Sequence, residues 1–185
     1  MKTKRAIMTG AFQLFAEKGL AFSMSEIADY VGIKKASIYA HFSSKEAMLK
    51  AVIEAESEGY FLLNASQKDL KTIFFNILTY HREDTSRALF WKRLLILPPE
   101  AMERTVMDQI HQRLDDRFDL VRELISYESD EGKVASDKVD MLTVMFFSLI
   151  HGLLSSELIY TTTDMSHMYE DIWQQFTLSM YQSKS

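Results

Sequence analysis

SMSEIADYVGIKKASIYAHFSSKEAML, residues 23–49, reads as two short helices joined by a tight turn and followed by the start of a longer one. Ser23 and Glu26 have the spacing of a capping box, in which each side chain satisfies a free backbone N–H at a helix start. Ile27, Ala28 and Val31 recur at helical spacing, and Gly32 permits the turn. A second helix opens at Lys34 and carries Lys35, Ser37, Tyr39 and His41, with Ile38 and Phe42 facing inward four residues apart. This is the pattern of a helix-turn-helix, whose second helix enters the major groove of DNA. DNA binding is the expectation.

The net charge of −5 fits that expectation only once it is divided along the chain. Residues 1–50 hold eight Lys/Arg against four Asp/Glu, and the remainder holds thirteen against twenty-two. Such asymmetry directs one end of a molecule toward phosphate and keeps the other end off it. The 185 residues leave room for one large domain or two small cooperating ones. The absence of cysteine excludes disulfides and thiolate metal sites and fits a reducing compartment. No apolar run is expected to approach the roughly 20 residues that span a bilayer, and MKTKRAIMTGAF lacks the apolar segment of a signal peptide. The chain is therefore expected to be soluble, cytoplasmic and without a membrane partner.

Two prolines, six glycines and almost no β-branched alternation predict an all-α chain. A first helix is expected over 4–18, with Ile7, Ala11, Leu14 and Phe15 on its buried side and Gly19 stopping it. After the two short helices, Ser43 or Ser44 caps a fourth, with Glu46 placed for a capping box and Ala47, Leu49, Val52 and Ile53 as its apolar stripe. No linker precedes it, so its motion must move the DNA-binding unit. Further helices are expected over 67–81, 85–97, from about 99 to 127, 136–160 and 164–181. The pair Pro98–Pro99 ends the second of these, because proline disfavours helix in the residue before it. The long helix carries Met102, Val106, Ile110, Leu114, Phe118, Val121 and Ile125 at steps of three or four. The division expected is a helix-turn-helix domain over 1–46 and a helical ligand-binding and dimerisation domain over 47–185.

MLTVMFFSLIHGLL, residues 141–154, is apolar around most of a helix and should be covered on more than one side. Ser148, Gly152 and Ser155 form a small-residue stripe that admits a close neighbour. With Phe146, Ile150 and Leu153, and with Ile172, Trp173, Phe176 and Met180 of the last helix, they are the expected homodimer interface, a four-helix arrangement. The bland alternative is that both helices complete the chain's own core. A dimer suits a helix-turn-helix, which reads palindromic DNA with two-fold symmetry and recognition helices about 34–36 Å apart.

Arg5, Met8, Ala11, Leu14-Phe15 and Gly19, then Ile27-Ala28, Val31-Gly32-Ile33, Ile38-Tyr39, His41-Phe42, Lys45-Glu46 and Leu49, resemble the N-terminal domain of TetR-family transcriptional regulators. The resemblance covers about the first 50 residues and beyond them is only architectural. It implies a homodimeric repressor that releases a palindromic operator when a small molecule enters the C-terminal domain. Carried over by position, it implies that Lys35 and Ala36 reach base edges, while Ser23, Ser37, Tyr39, His41 and Lys45 hold phosphates. Hydroxyl, phenol and ammonium groups suit phosphate oxygens, and such contacts set register without reading sequence. Lys35 can donate to a guanine O6/N7 edge. Two positions depart from the family, which usually has Ser and Gly where this chain has Lys34 and Ala36. Lys34 gives up a cap and adds a charge near the DNA backbone; Ala36 offers a methyl to a thymine methyl. Tyr39 could also be plain packing and His41 a helix cap, while Lys2, Lys4 and Arg5 suit either a solvated end or a groove-touching arm. A cation at Lys45 opposes the helix dipole and hints at an anionic partner.

No enzyme is expected: the chain shows no Gly-rich phosphate loop, no His-x-x-x-His and no nucleophile elbow. No cofactor and no metal are expected, since His81, His111, His151 and His167 fall on different helices or their ends. Phe61, Phe74, Phe90, Trp91, Met102, Met107, His111, Met141 and Met145 are the candidate ligand pocket, because aromatic and methionine side chains suit a deformable site for an amphipathic molecule. Each of them also suits a closed core. The rival function is a DNA-binding adaptor or architectural protein without a small-molecule effector.

Overall fold

The structure is a computed structural model that describes residues 2–63, 66–96, 98, 104–131, 134–160 and 162–181. Among these there is no strand. The helices are α1 (Lys2–Lys18), α2 (Met24–Val31), α3 (Lys35–Tyr39), α4 (Lys45–Leu62), α5 (Leu70–Arg82), α6 (Thr85–Ile96), α7 (Arg104–Asp130), α8 (Val139–Ile159) and α9 (Tyr169–Tyr181). Short 3-10 turns follow α1 and precede α8 and α9. The expected all-α class holds.

Local chemistry sets most boundaries. Gly19 stops α1 at φ +59°, and Gly32 ends α2 at φ +72°, left-handed conformations that cost a glycine little. Ser44 rather than Ser43 caps α4, accepting from the Ala47 N–H at 3.1 Å. Glu46 is only two residues past that cap, one short of the place a capping box requires. The fifth helix begins at Leu70 and not at Gln67. Asp69 accepts from the Thr72 N–H at 2.7 Å and from its hydroxyl at 2.6 Å, which fixes the start there. Pro99 and the expected start of the long helix lie outside the described residues, as does Met102.

By packing, the chain forms two compact units, Met1–Leu63 with Tyr80–His111, and Asn64–Thr79 with Gln112–Ser185. In the first, α1 lies against α2, α4 and α6, most extensively against α6. Its core holds Ile7, Phe15, Phe22, Ile27, Ile38, Met48, Leu49, Ile53 and Phe90. Phe90 of α6 fills the space between Phe12 and Phe15 of α1, with ring centroids 5.0 and 5.3 Å away. Arg93, one turn on, donates to the Ala16 carbonyl at 2.8 Å and the Glu17 carbonyl at 2.7 Å, satisfying the end of α1. At the other end of α6, the Ser86 hydroxyl donates to Gln13 Oε1 at 2.6 Å.

In the second unit, Phe74 of α5, Phe146 of α8, and Trp173 and Phe176 of α9 form one ring cluster. The run Ser136–Ile159 is long and apolar enough to cross a membrane by length and composition, with an 18-residue window of mean hydropathy 1.6. That corrects the expectation that no run approaches this length: polar residues interrupt the apolar ones along the chain, yet the average over 18 residues stays high. Only 22% of that window is buried.

Candidate nucleic-acid interface and partner surfaces

The helix-turn-helix is built as its sequence requires. The Ser23 hydroxyl accepts from the Glu26 N–H at 3.2 Å, and the Glu26 carboxylate accepts from the Ser23 N–H at 2.8 Å. The hydrogen bond from Lys18 at 2.6 Å, reinforced by the two from Ser23, holds the Glu26 carboxyl down at about 2. The Gly32 N–H reaches the Asp29 carbonyl and the Ile33 N–H the Ala28 carbonyl, which closes the turn. α3 is anchored by Ile38, fully buried, and by Phe42 just beyond it. Val31, expected in the core, is only half-buried.

That anchoring decides what faces out. Lys34, Lys35, Ala36, Tyr39 and His41 are exposed and Ser37 is half-buried. Among the described residues, the side chains of Lys34, Lys35, Ser37, Tyr39 and His41 make no hydrogen bond or ion pair. Lys34 starts α3 without a side-chain cap, as its chemistry dictates. Tyr39 leaves half of its surface, 50%, in solvent. Lys4 of α1 places its ammonium 5.3 Å from the Phe42 ring centroid, close to the same motif.

Lys45 behaves differently from the others. Its ammonium donates to the Leu20 and Phe22 carbonyls, each at 2.5 Å, and lies 4.2 Å from the Phe22 ring centroid. Partial burial pushes its pKa down. The helix-dipole penalty noted in the sequence is thus compensated within the chain, by two carbonyls from the connection between α1 and α2. Sequence reasoning had no signal for this, because the partners lie 23 and 25 residues away.

The candidate pocket residues fall in both compact units. Phe61, Phe90, Trp91, Met107 and His111 belong to the first compact unit, and Phe74, Met141 and Met145 to the second. Phe74 and Phe90 are fully buried, whereas His111 and Met141 are exposed. The residues named for dimerisation also divide. Phe146, Ile150, Trp173, Phe176 and Met180 are buried in the chain's own core, where Phe146 and Trp173 meet Phe74. Ser148 and Gly152 are exposed, and Leu153, Ser155 and Ile172 are half-buried. Met141, Val144 and Ile159, 50%, 55% and 66% exposed, extend this outward side of α8. A methyl added at Gly152 would meet nothing within 4 Å in this chain. A groove of about 390 Å³ between α8 and α9 is lined by Met145, Leu149, Met168, Ile172 and Phe176, with Asp171 on its edge. Among the described residues, no group of three or more His, Asp or Glu is arranged to hold a metal ion.

Comparison with known proteins agrees with this geometry. Residues 7–52 match the family described as bacterial regulatory proteins, tetR family. The uncharacterized HTH-type transcriptional regulator YvaF of Bacillus subtilis is 27% identical over 127 residues, which are 69% of this chain and 60% of that protein. The chain thus spans less than two thirds of the length of this curated relative. Among solved structures, FadR from Bacillus subtilis in complex with stearoyl-CoA shares the fold with a TM-score of 0.66, at 14% identity and with 94% of this chain and 97% of that one covered. AibR in complex with isovaleryl coenzyme A and operator DNA does so with a TM-score of 0.73, at 17% identity and with coverage of 96% and 97%. The first helices thus match the tetR family as sequence, and nearly the whole chain is similar in fold to these two solved structures.

Proposed function

We propose that this chain is a homodimeric transcriptional repressor of the cytoplasm, not an enzyme, that binds a palindromic operator and leaves it when a hydrophobic or amphipathic small molecule binds. The observation that carries the reading is the outer face of α3. Five polar side chains there have no hydrogen-bond or ion-pair partner among the described residues, although buried Ile38 and Phe42 anchor their helix. Lys35 and Ala36 are proposed to reach base edges. Ser23, Lys34, Ser37, Tyr39, His41 and Lys45 are proposed to contact the phosphate backbone, the last with the one ammonium proton its carbonyls leave over.

Function is proposed to divide at residue 46, with DNA contact before it and effector binding and dimerisation after it. α8 and α9 supply the dimer contact through Val144, Ser148, Gly152, Leu153, Ser155 and Ile172. A second copy is the occupant that fits this face, because a stripe of small residues beside an apolar groove admits a close two-fold helix pairing. An effector acts by preferring the conformation whose recognition helices do not match one turn of DNA, and it shifts the equilibrium only by its difference in affinity for the two states. FadR and AibR with their coenzyme A thioesters support a small-molecule effector of amphipathic character.

The test is titration of the purified full chain onto a labelled duplex from the gene's own upstream region, repeated with compounds that raise its melting temperature. Nanomolar, salt-dependent binding reversed by a stabilising compound is the expected result. DNA binding that no stabilising compound reverses would point instead to an adaptor without an effector.

A further inference from the structure

The first turn of α1 carries Lys2, Lys4 and Arg5 and no acidic residue. Sequence alone leaves this turn either solvated or in contact with DNA. Helix geometry singles out Lys4, which stands three residues before Ile7 and seven before Ala11, both fully buried, and so leaves α1 on a core-facing side. Its ammonium lies 5.3 Å from the centroid of the Phe42 ring. Phe42 is buried just beyond α3, and the Ile38 carbonyl accepts both the His41 N–H at 2.9 Å and the Phe42 N–H at 3.0 Å. Residues 41 and 42 are thereby fixed to the recognition helix, with His41 exposed and Phe42 turned in beneath Lys4. The start of α1 thus meets the C-terminal edge of the face proposed for DNA.

The other placed cations of this region are committed within the chain. Lys18, at the far end of α1, is bonded to Glu26, and Lys45 to the Leu20 and Phe22 carbonyls. The Lys4 ammonium has three N–H donors, and among the described residues it meets no hydrogen-bond acceptor and no carboxylate. A ring face attracts a cation through its quadrupole but supplies no lone pair to those donors. A cation in the first turn also opposes the dipole of its own helix. Lys4 is therefore a positioned charge with its donors unspent.

We propose that Lys4 contacts a phosphate of the operator, from within α1 rather than from an extended arm ahead of it, next to the phosphates held by Tyr39 and His41. The contact rests on the DNA-binding part of the repressor reading and adds a second helix to it. Phosphate contacts set register and orientation without reading sequence. Lys4 accordingly steadies the way α3 lies in the groove, while Lys35 and Ala36 read bases.

Lys4→Met keeps an apolar stem over Phe42 and removes the charge. Affinity of the full chain for the upstream duplex and for a scrambled one, measured across a salt series, reads the loss. One phosphate contact contributes about 0.9 to the slope of log affinity against log salt, so a fourfold rise in salt should cost Lys4→Met about 3.5-fold less affinity per subunit than the unaltered chain. Both duplexes are expected to weaken alike, and Lys4→Arg to keep the original slope. Lys71→Met removes an equal charge from the second unit, where Lys71 pairs with Glu170, and is expected to leave the slope as it was. Melting temperatures check that each variant folds, and Lys4→Gln stands in for Lys4→Met if that one does not. An unchanged slope in the folded variant, an equal fall in Lys71→Met, or a reduced slope in Lys4→Arg overturns the proposal. Binding of DNA with an unchanged slope ends this contact alone; binding of neither duplex by the unaltered chain ends the repressor reading and the contact with it.

Discussion

The Lys45 ammonium sits 4.2 Å from the centroid of the Phe22 ring and shares two of its protons between the carbonyls of Phe22 and Leu20. The first residue of α4 is thereby fastened to the segment that leads into the helix-turn-helix. Phe22 is itself buried, so the cation closes over a core ring and its backbone together. Charge-assisted hydrogen bonds of this kind are worth about 1.5–3 kcal/mol each way they are removed. Lys45→Met keeps the apolar stem and deletes the donors. It is expected to lower stability by about that amount, a fall of roughly 3–10 °C in melting temperature for a chain of this size. Urea unfolding at fixed pH checks it, and an unchanged midpoint would show the clamp to be idle.

Acid should loosen the capping box. The Glu26 carboxyl is held at about 2 in the folded chain, below its ordinary value near 4.5, first by Lys18 and then by the Ser23 backbone and hydroxyl. The unfolded chain therefore binds this proton more readily, and the stabilisation is complete above about pH 4.5 and lost as pH falls toward 2. Glu56 is shifted the other way and opposes folding across the window above its ordinary value. Urea midpoints between pH 6 and pH 2.5 should fall less steeply in Glu26→Gln than in the unaltered chain. Parallel slopes would remove Glu26 from the account.

Base readout and phosphate contact predict different signatures on α3. Lys35→Ala should weaken operator binding by about 1–3 kcal/mol and relax preference at one base pair of each half-site. Lys34→Ala should weaken all sequences alike and reduce the salt dependence by about one unit of slope per subunit. Binding isotherms at several salt concentrations on an operator and a scrambled duplex separate the two. Identical behaviour of both variants would undo the assignment.

The outward side of α8 makes a separate prediction. Val144 is more than half exposed, so Val144→Glu leaves the chain's own core intact. In a two-fold interface the new carboxylate would lie close to its own copy, desolvated and of like charge, which costs several kcal/mol in order of magnitude. Sedimentation at micromolar concentration should show a dimer for the unaltered chain and a folded monomer for the variant. Circular dichroism confirms that the helices persist. A dimer that survives the substitution would place the contact elsewhere.

Arg93 provides a fifth test. Its two bonds to the carbonyls of Ala16 and Glu17 tie α6 to the end of α1, and Phe90 packs between Phe12 and Phe15 beside them. Arg93→Met should cost about 1–3 kcal/mol and weaken operator binding with it, because α1 carries the motif. Loss of stability with full operator affinity would mean that α6 does not steady the reading helices.

The amino-acid sequence determined what depends on neighbours within a turn or two. The Ser23–Glu26 box, the stops at Gly19 and Gly32, the buried pair Ile38 and Phe42 and the resulting outward Lys35 and Tyr39 all follow from spacing, because helix geometry alone converts spacing into a face. What depends on distant partners was not legible. Lys45 looked like a cation awaiting an anion until carbonyls 23 and 25 residues upstream were seen beneath it. The apolar stretch around Phe146 and Gly152 contained both a core face and an open face, and only the packing of α8 against Phe74 and Trp173 decided which residues went to which. The pocket residues were open to two readings for the same reason. Aromatic and methionine residues are chosen alike for cores and for ligands, and which of them meet a half-buried carboxylate such as Glu56 is a fact of tertiary contact, not of order along the chain.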